Sequence, residues 1–188
     1  MNARVENRPV SIDQYNKPSI REHVSKYLDF DILQCLLLQS GGLLVGSVPL
    51  AAYIDQYELP AKFTPHNLDI FVNDSSGYAD LLCGFVINSG YTLDAITDTG
   101  CHTFSSPEGL CVHVIFANMH AEYTSVQDTI EYVKTHLNLS PCMTWWNVNT
   151  QTLDTAHPIL TRSMLMLADS DADKAQLEKY RARGFTLV

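Results

Sequence analysis

Two segments, GGLLVGSVPL at residues 41–50 and NLDIFV at residues 67–72, hold most of the structural information in this chain. The first opens with a short apolar run bounded by glycines, which is typical of a buried strand. Pro49 stands in the first turn of the helix predicted to follow, where a missing N–H costs least. The second segment predicts another strand, in which Asp69 is the charged exception.

The Gly46-Ser47 pair stands where the first strand ends and the helix begins. A helix N-terminus presents unpaired N–H groups and the positive end of the helix dipole. Glycine would let a phosphate approach the backbone, and the serine hydroxyl would add a donor. The alternative is a simple turn in which Ser47 caps the helix.

Composition indicates one folded domain. Of the 188 residues, 46% are hydrophobic and 18% are charged, which suits a packed core and not a disordered chain. Residues 1–18 are polar and contain two prolines, so we expect an N-terminal arm followed by a domain over residues 19–188.

The charge balance bears on the class of partner. The formal net charge is −9, with only 12 Lys and Arg residues, and these form no basic cluster. Proteins that grip phosphate backbones usually show such a cluster, so a nucleic-acid partner is disfavoured. We expect a protein partner or an assembly instead.

The cysteines and the apolar runs predict an intracellular protein with no membrane segment. No two of the five cysteines are spaced as CxxC, and residues 1–11 are too polar for a signal peptide. Free thiols in a reducing, cytoplasmic compartment are the simplest interpretation. The longest apolar stretch, within residues 32–54, is interrupted by polar residues and glycines, so it does not suit a membrane span.

Hydrophobic periodicity and capping residues predict an alternation of helices and strands. Helices are predicted over residues 19–38, 48–57, 78–89, 125–136 and 172–183. Strands are predicted over residues 42–45, 67–72, 91–97, 101–105 and 110–117. Residues 141–167 mix both patterns. The fold class is therefore α/β or α+β: a short mixed sheet flanked by helices, with a mostly helical C-terminal part from about residue 120 to 188.

The segments GSVPLAAYID and PHNLDIFV resemble the nucleotidyltransferase superfamily, in which a Gly-Ser motif precedes an Asp-x-Asp strand. They also resemble small nucleotidyltransferase-like proteins of fungal genomes and some viruses. Those proteins often continue with further short motifs, whose counterparts here are Cys142-Met143, residues 157–160 (HPIL) and residues 179–185 (KYRARGF). The resemblance covers roughly residues 40–186 and implies a nucleotidyltransferase-like sheet.

The resemblance also implies three metal-binding carboxylates, and this chain departs from that pattern. The first acidic position falls on Asn67 and the second on Asp69. The third carboxylate should lie on a neighbouring strand, but residues 110–117 contain no Asp or Glu, and their polar exception is His113. One carboxylate cannot organise a two-metal phosphoryl transfer. The chain is therefore predicted to be catalytically degenerate, with Asp69 as a vestigial catalytic candidate.

Three functional hypotheses follow. In the first, a pseudoenzyme keeps the cleft and binds a partner or a nucleotide without metal or cofactor chemistry; its candidate nucleotide-binding residues are Gly46, Ser47, Asn67, Asp69 and His113. In the second, an active transferase uses Asp69 with Mg²⁺ and a nucleoside triphosphate to modify a protein or a small molecule. In the third, a structural or assembly protein, such as a viral one, keeps the fold as a scaffold.

Three further clusters invite other interpretations. Cys101, Cys111 and His113 would offer three zinc ligands if they shared a face of one hairpin, although their spacing fits no standard zinc module. The acidic run at residues 169–173 lacks the glycine of a calcium loop and suits a helix N-terminus better. The adjacent Trp145-Trp146 pair predicts side chains on opposite faces of a strand, either with one exposed at an interface or with both partly buried.

Overall fold

The computed structural model describes residues 19–73, 77–116 and 125–188. The helices are α1 (Ile20–Val24), α2 (Phe30–Ser40), α3 (Ser47–Gln56), α4 (Tyr78–Asn88), α5 (Val126–His136), α6 (Pro158–Arg162) and α7 (Lys174–Ala182), with a 3₁₀ turn at Ser140–Cys142. The strands are β1 (Leu43–Val45), β2 (Asn67–Val72), β3 (Thr92–Ile96), β4 (Cys101–Ser105), β5 (Cys111–Phe116), β6 (Thr144–Asn147), β7 (Thr152–Thr155), β8 (Leu165–Met166) and β9 (Thr186–Leu187). The predicted arm over residues 1–18, and the predicted strand end at residue 117, lie outside the described residues.

Seven strands form one mixed sheet in the order β3-β4-β5-β2-β1-β6-β7. Strands β2 and β5 run parallel, and the other neighbouring pairs are antiparallel. The prediction of a short mixed sheet flanked by helices is confirmed. Strands β8 and β9 form a separate parallel pair. Within the described residues, no helix is both long enough and apolar enough to cross a membrane.

The two faces of the central sheet are covered differently. On one face, Leu44 of β1, Leu68 and Ile70 of β2, and Val112 and Val114 of β5 are fully buried in the main core. This core is completed by apolar residues of α1, α2 and α4. On the opposite face, α5 packs over the apolar ends of β1 and β2 in a smaller cluster. A third cluster joins α3 to α7 and the small sheet. Because side chains alternate along a strand, the odd-numbered residues of β2 belong to the second face.

The segment predicted as one helix over residues 19–38 is two helices. Ser19 begins α1, and its backbone N–H donates to the Glu22 carboxylate at 2.7 Å. Asp29 then starts α2, because its carboxylate accepts hydrogen bonds from the N–H groups of Asp31 and Ile32. Gly41 ends α2 in a left-handed conformation with φ 62°, and the chain passes at once into β1.

The prediction of a mostly helical C-terminal part is wrong for residues 144–155. The C-terminal part contains helices α5, α6 and α7, but residues 144–155 form the hairpin β6–β7, which joins the main sheet beside β1. Trp145 and Trp146 lie on β6 and face opposite sides, as predicted. Both are buried, with 5% and 3% exposure, so neither forms an exposed interface.

Asp173, the last residue of the acidic run at residues 169–173, is the residue that caps α7. Its carboxylate accepts a hydrogen bond from the N–H of Ala175 at 3.2 Å. The helix therefore begins two residues later than the acidic run suggested, at Lys174. The interpretation of this run as helix-starting residues is confirmed for Asp173.

Two neighbouring leucines of α4 provide a matched test of this packing. Leu82 is fully buried, whereas Leu81 is 57% exposed. We predict that Leu82→Ala lowers the free energy of unfolding by about 2–5 kcal/mol, because it leaves a cavity in the main core. Leu81→Ala should change it by less than about 0.5 kcal/mol. Urea denaturation would measure both, and equal effects would contradict the assigned face of α4.

Candidate functional site

A cavity of about 500 Å³ opens on the second face of the sheet, bordered by α7 and by Leu137 and Asn138, which follow α5. All five residues that the sequence singled out line this cavity: Gly46, Ser47, Asn67, Asp69 and His113. They come from the β1–α3 junction and from two neighbouring strands. The structure therefore brings together residues that are spread over 68 positions of the chain.

The parallel pairing of β2 and β5 fixes the polar part of the cavity floor. Asp69 lies directly opposite His113 in the register, and Asn67 lies opposite Cys111. One carboxylate oxygen of Asp69, Oδ1, accepts a hydrogen bond from Asn67 Nδ2 at 2.6 Å and lies 2.8 Å from His113 Nδ1. The Asp69 side chain is 19% exposed and that of His113 is 29% exposed. These hydrogen bonds offset the cost of placing a carboxylate in a largely apolar strand.

Gly46 is required at the turn from β1 into α3 for two reasons. Its backbone has φ 82° and ψ −132°, a conformation that side chains strongly disfavour. A Cβ atom added there would lie 2.9 Å from Oδ2 of Asp69, closer than real contacts allow. The backbone N–H of Gly46 donates to Thr144 O at 2.9 Å, which ties the turn to the start of β6.

Ser47 is the first residue of α3, and it is not the helix cap. Gly46 occupies the cap position, and no side chain caps α3. The Ser47 hydroxyl instead donates to the backbone carbonyl of Asn67 at 3.3 Å, which joins α3 to the start of β2. The serine-cap alternative is therefore wrong. Ser47 links the segment at residues 41–50 to the segment at residues 67–72.

Helix α7 supplies a wall of the cavity that the sequence motifs did not assign to the site. Gln176, Lys179 and Tyr180 line it, together with Cys142 of the 3₁₀ turn. The Cys142 thiol donates to the Tyr180 hydroxyl at 3.3 Å. Burial raises the pKa values of both groups, so both are neutral at physiological pH. Lys179 and Tyr180 lie within the KYRARGF segment, whose resemblance to known proteins was the available sign of their importance.

Asp69 is the one carboxylate among the described residues that line the cavity. Nowhere in the described segments do three or more His, Cys, Asp or Glu side chains gather as a metal site would require. The donor set therefore does not fit the divalent metal pair of the superfamily, which relies on carboxylate charge.

The zinc hypothesis for Cys101, Cys111 and His113 is contradicted by the register of the β4–β5 hairpin. Cys101 pairs with Ile115 at one end of the hairpin, whereas Cys111 pairs with Ser105 at the other. Cys111 and His113 do share the cavity face. Two ligands without a third do not make a structural zinc site.

Comparison with known proteins identifies the fold. No family model and no curated protein matches the sequence. Among solved structures, a CCA-adding enzyme in complex with CTP superposes with a TM-score of 0.60 at 10% identity, covering 90% of this chain and 43% of that one. The Thermotoga maritima CCA-adding enzyme complexed with tRNA gives 0.55 at 11% identity, covering 90% and 42%. An apo form of a CCA-adding enzyme gives 0.53 at 13% identity, covering 80% and 36%.

The chain thus has a nucleotidyltransferase-like fold. It spans less than half the length of each of these enzymes. At such low identity the likeness concerns the backbone arrangement alone.

Two glycines with opposite environments test the geometry at Gly46. We predict that Gly46→Ala lowers the free energy of unfolding by about 1–3 kcal/mol, because of its positive φ and the contact with Asp69. Gly84 lies inside α4, and a Cβ added there meets no atom within 4 Å. Gly84→Ala should therefore raise stability by about 0.5–1 kcal/mol. Thermal unfolding of both variants would measure this, and a stabilised Gly46→Ala would refute the described turn.

Thiol labelling tests whether α7 covers Cys142. Because burial raises the pKa of Cys142, its partly exposed thiol stays protonated at pH 8, whereas Cys35 is exposed on α2. We predict that iodoacetamide labels Cys35 faster than Cys142 by about tenfold or more, since the thiolate is the reacting form. Peptide mass spectrometry over time would compare the two rates. Equal rates would mean that α7 does not cover Cys142.

Proposed function

We propose that this chain is a catalytically degenerate nucleotidyltransferase-like protein whose cavity serves as a binding module. The observation that carries the proposal is the Asp69–His113 hydrogen bond of 2.8 Å, at a register position where the superfamily pattern expects two carboxylates. A histidine adds no negative charge, and a neutral imidazole is a poor Mg²⁺ ligand. In support of the proposal, the side chains at this position are hydrogen-bonded to one another.

The chemistry of transfer supports the same proposal. Nucleotidyl transfer depends on electrostatic stabilisation of charge on the phosphoryl group, and metal ions supply most of it. The cavity offers one carboxylate among the described residues, and its Oδ1 is already engaged by Asn67 and His113. A metal pair bound here would lack the charge of two of the three carboxylates that the superfamily pattern expects, because Asn67 and His113 occupy those positions.

A nucleotide is the ligand that the cavity suits best. Its volume of about 500 Å³ falls within the range of small-molecule sites. The N-terminus of α3, at Gly46 and Ser47, lies at its wall and favours a phosphate group. CCA-adding enzymes of similar fold are known in complexes with CTP and with ATP. The net charge of −9 argues against extending the tRNA complex to this chain.

An active nucleotidyltransferase is the second candidate. It is favoured by the survival of Asp69 beside the β1–α3 turn, the position that the superfamily motif predicts. In that case Asp69 would work with Mg²⁺ and a nucleoside triphosphate to modify a protein or a small molecule. A role as an assembly scaffold, with a protein partner, is the third, and it requires neither nucleotide binding nor transfer.

Two measurements separate these functions. A nucleotide present at a hundred times its dissociation constant should stabilise the fold by about 2.7 kcal/mol, which corresponds to roughly 5–11 °C in Tm. We expect such a shift with at least one of the four nucleoside triphosphates, and no incorporation of labelled nucleotide with Mg²⁺ or Mn²⁺. Turnover that disappears in Asp69→Ala would establish the active enzyme. Absence of any shift would favour the scaffold.

A further inference from the structure

We infer that the cavity takes a nucleotide without a divalent cation, and that Lys179 supplies the positive charge that metal ions provide in nucleotidyltransferases. The inference rests on the proposed function, and it specifies how the ligand is held. It concerns one residue of α7 and the part of the cavity that α7 faces.

The first step is that one oxygen of the Asp69 carboxylate is already engaged by neighbouring side chains. Its Oδ1 is hydrogen-bonded to Asn67 and close to His113, and its Oδ2 lies 2.9 Å from the point that a Cβ on Gly46 would occupy. A cation at Oδ1 would have to displace these side chains. No other carboxylate lines the described cavity to help neutralise the ion.

The second step is that Lys179 offers an uncommitted charge. It lines the cavity, and within the described residues it takes part in no ion pair. The adjacent acidic residue, Glu178, is already paired with Arg181. A lysine that lines a cavity and has no carboxylate partner is suited to bind an anion.

The third step is that the start of α3, which also lines the cavity at Gly46 and Ser47, supplies amide donors. The backbone N–H of Gly46 is taken by Thr144 O, and Pro49 has no N–H. The first turn of α3 therefore retains the N–H groups of Ser47 and Val48, which have no acceptor within the helix. Lys179 and the start of α3 border the same cavity. A phosphate bound by both would meet the positive charge of Lys179 together with the oriented donors of the α3 N-terminus.

The fourth step concerns the rest of the ligand. Val45, Phe71, Ile115 and Leu137 form an apolar wall of the same cavity. Phe71 on β2 and Ile115 on β5 pair with each other two residues beyond Asp69 and His113, so they lie on the same face of the sheet. An apolar wall beside an anion site suits a molecule with a flat ring and a phosphate better than an inorganic phosphate. This arrangement points to a nucleotide.

Calorimetric titration of the full chain tests the inference. ATP, CTP, GTP, UTP and tripolyphosphate would each be titrated in EDTA and, separately, with Mg²⁺. The variants are Lys179→Gln and, as a matched control, Lys174→Gln, which removes an exposed lysine of the same helix that does not line the cavity. We expect a nucleotide to bind in EDTA more tightly than tripolyphosphate. Lys179→Gln should weaken it about tenfold, as loss of a charge-assisted contact does, and Lys174→Gln should not.

The other outcomes are distinguishable. Binding seen only with Mg²⁺, or binding in EDTA that is weakened equally by both lysine variants, would overturn the inference and leave the proposed nucleotide site standing. Tripolyphosphate binding as tightly as every nucleotide would overturn the assignment of a nucleotide. Failure of all five probes to bind in either buffer would overturn the proposed function as well.

Discussion

The parallel pairing of β2 with β5 determines both the core and the cavity of this protein. Each strand alternates its side chains, so the same register that buries Ile70 and Val114 in the main core aligns Asp69 with His113 on the other face. A shift of one residue in either strand would turn a carboxylate or an imidazole into the core. The burial of the apolar residues of these strands therefore fixes the register, and the register keeps Asp69 and His113 side by side in the site.

Much of the central sheet could be predicted from sequence because its information is local. The apolar run before Gly46, the alternating pattern around Asp69 and the strand containing His113 each identify a strand, and the structure confirms all three. The juxtaposition of Asp69 and His113 followed from the resemblance, which placed both strands side by side. The positions of helix caps were predicted less well. Before α7, several neighbouring acidic residues could each cap the helix, and the sequence does not decide between them.

The other features of the fold and the site depend on contacts between distant residues, and such contacts produce no pattern in the local sequence. Lys179 and Tyr180 reach the cavity because α7 packs against the turn that holds Cys142, more than thirty positions earlier in the chain. Strand β6 was missed because a strand buried on both faces lacks the alternation that identifies a half-buried one. Serine at a helix start usually acts as a cap, which is why the sequence suggested this role for Ser47. Its hydroxyl instead donates a hydrogen bond to the carbonyl of Asn67, and this bond depends on the packing of α3 against β2.

Strand β1 has consequences for the order in which the protein folds. It is only three residues long, yet it lies between β2 and β6, and β6 is about a hundred residues further along the chain. The turn at Gly46 is anchored to Thr144 of β6, so it gains its final hydrogen bond only after this long loop has closed. Such contacts form late because the chain entropy must be lost first. During synthesis, strands β2 to β5 can pair before the residues that complete the cavity have been made.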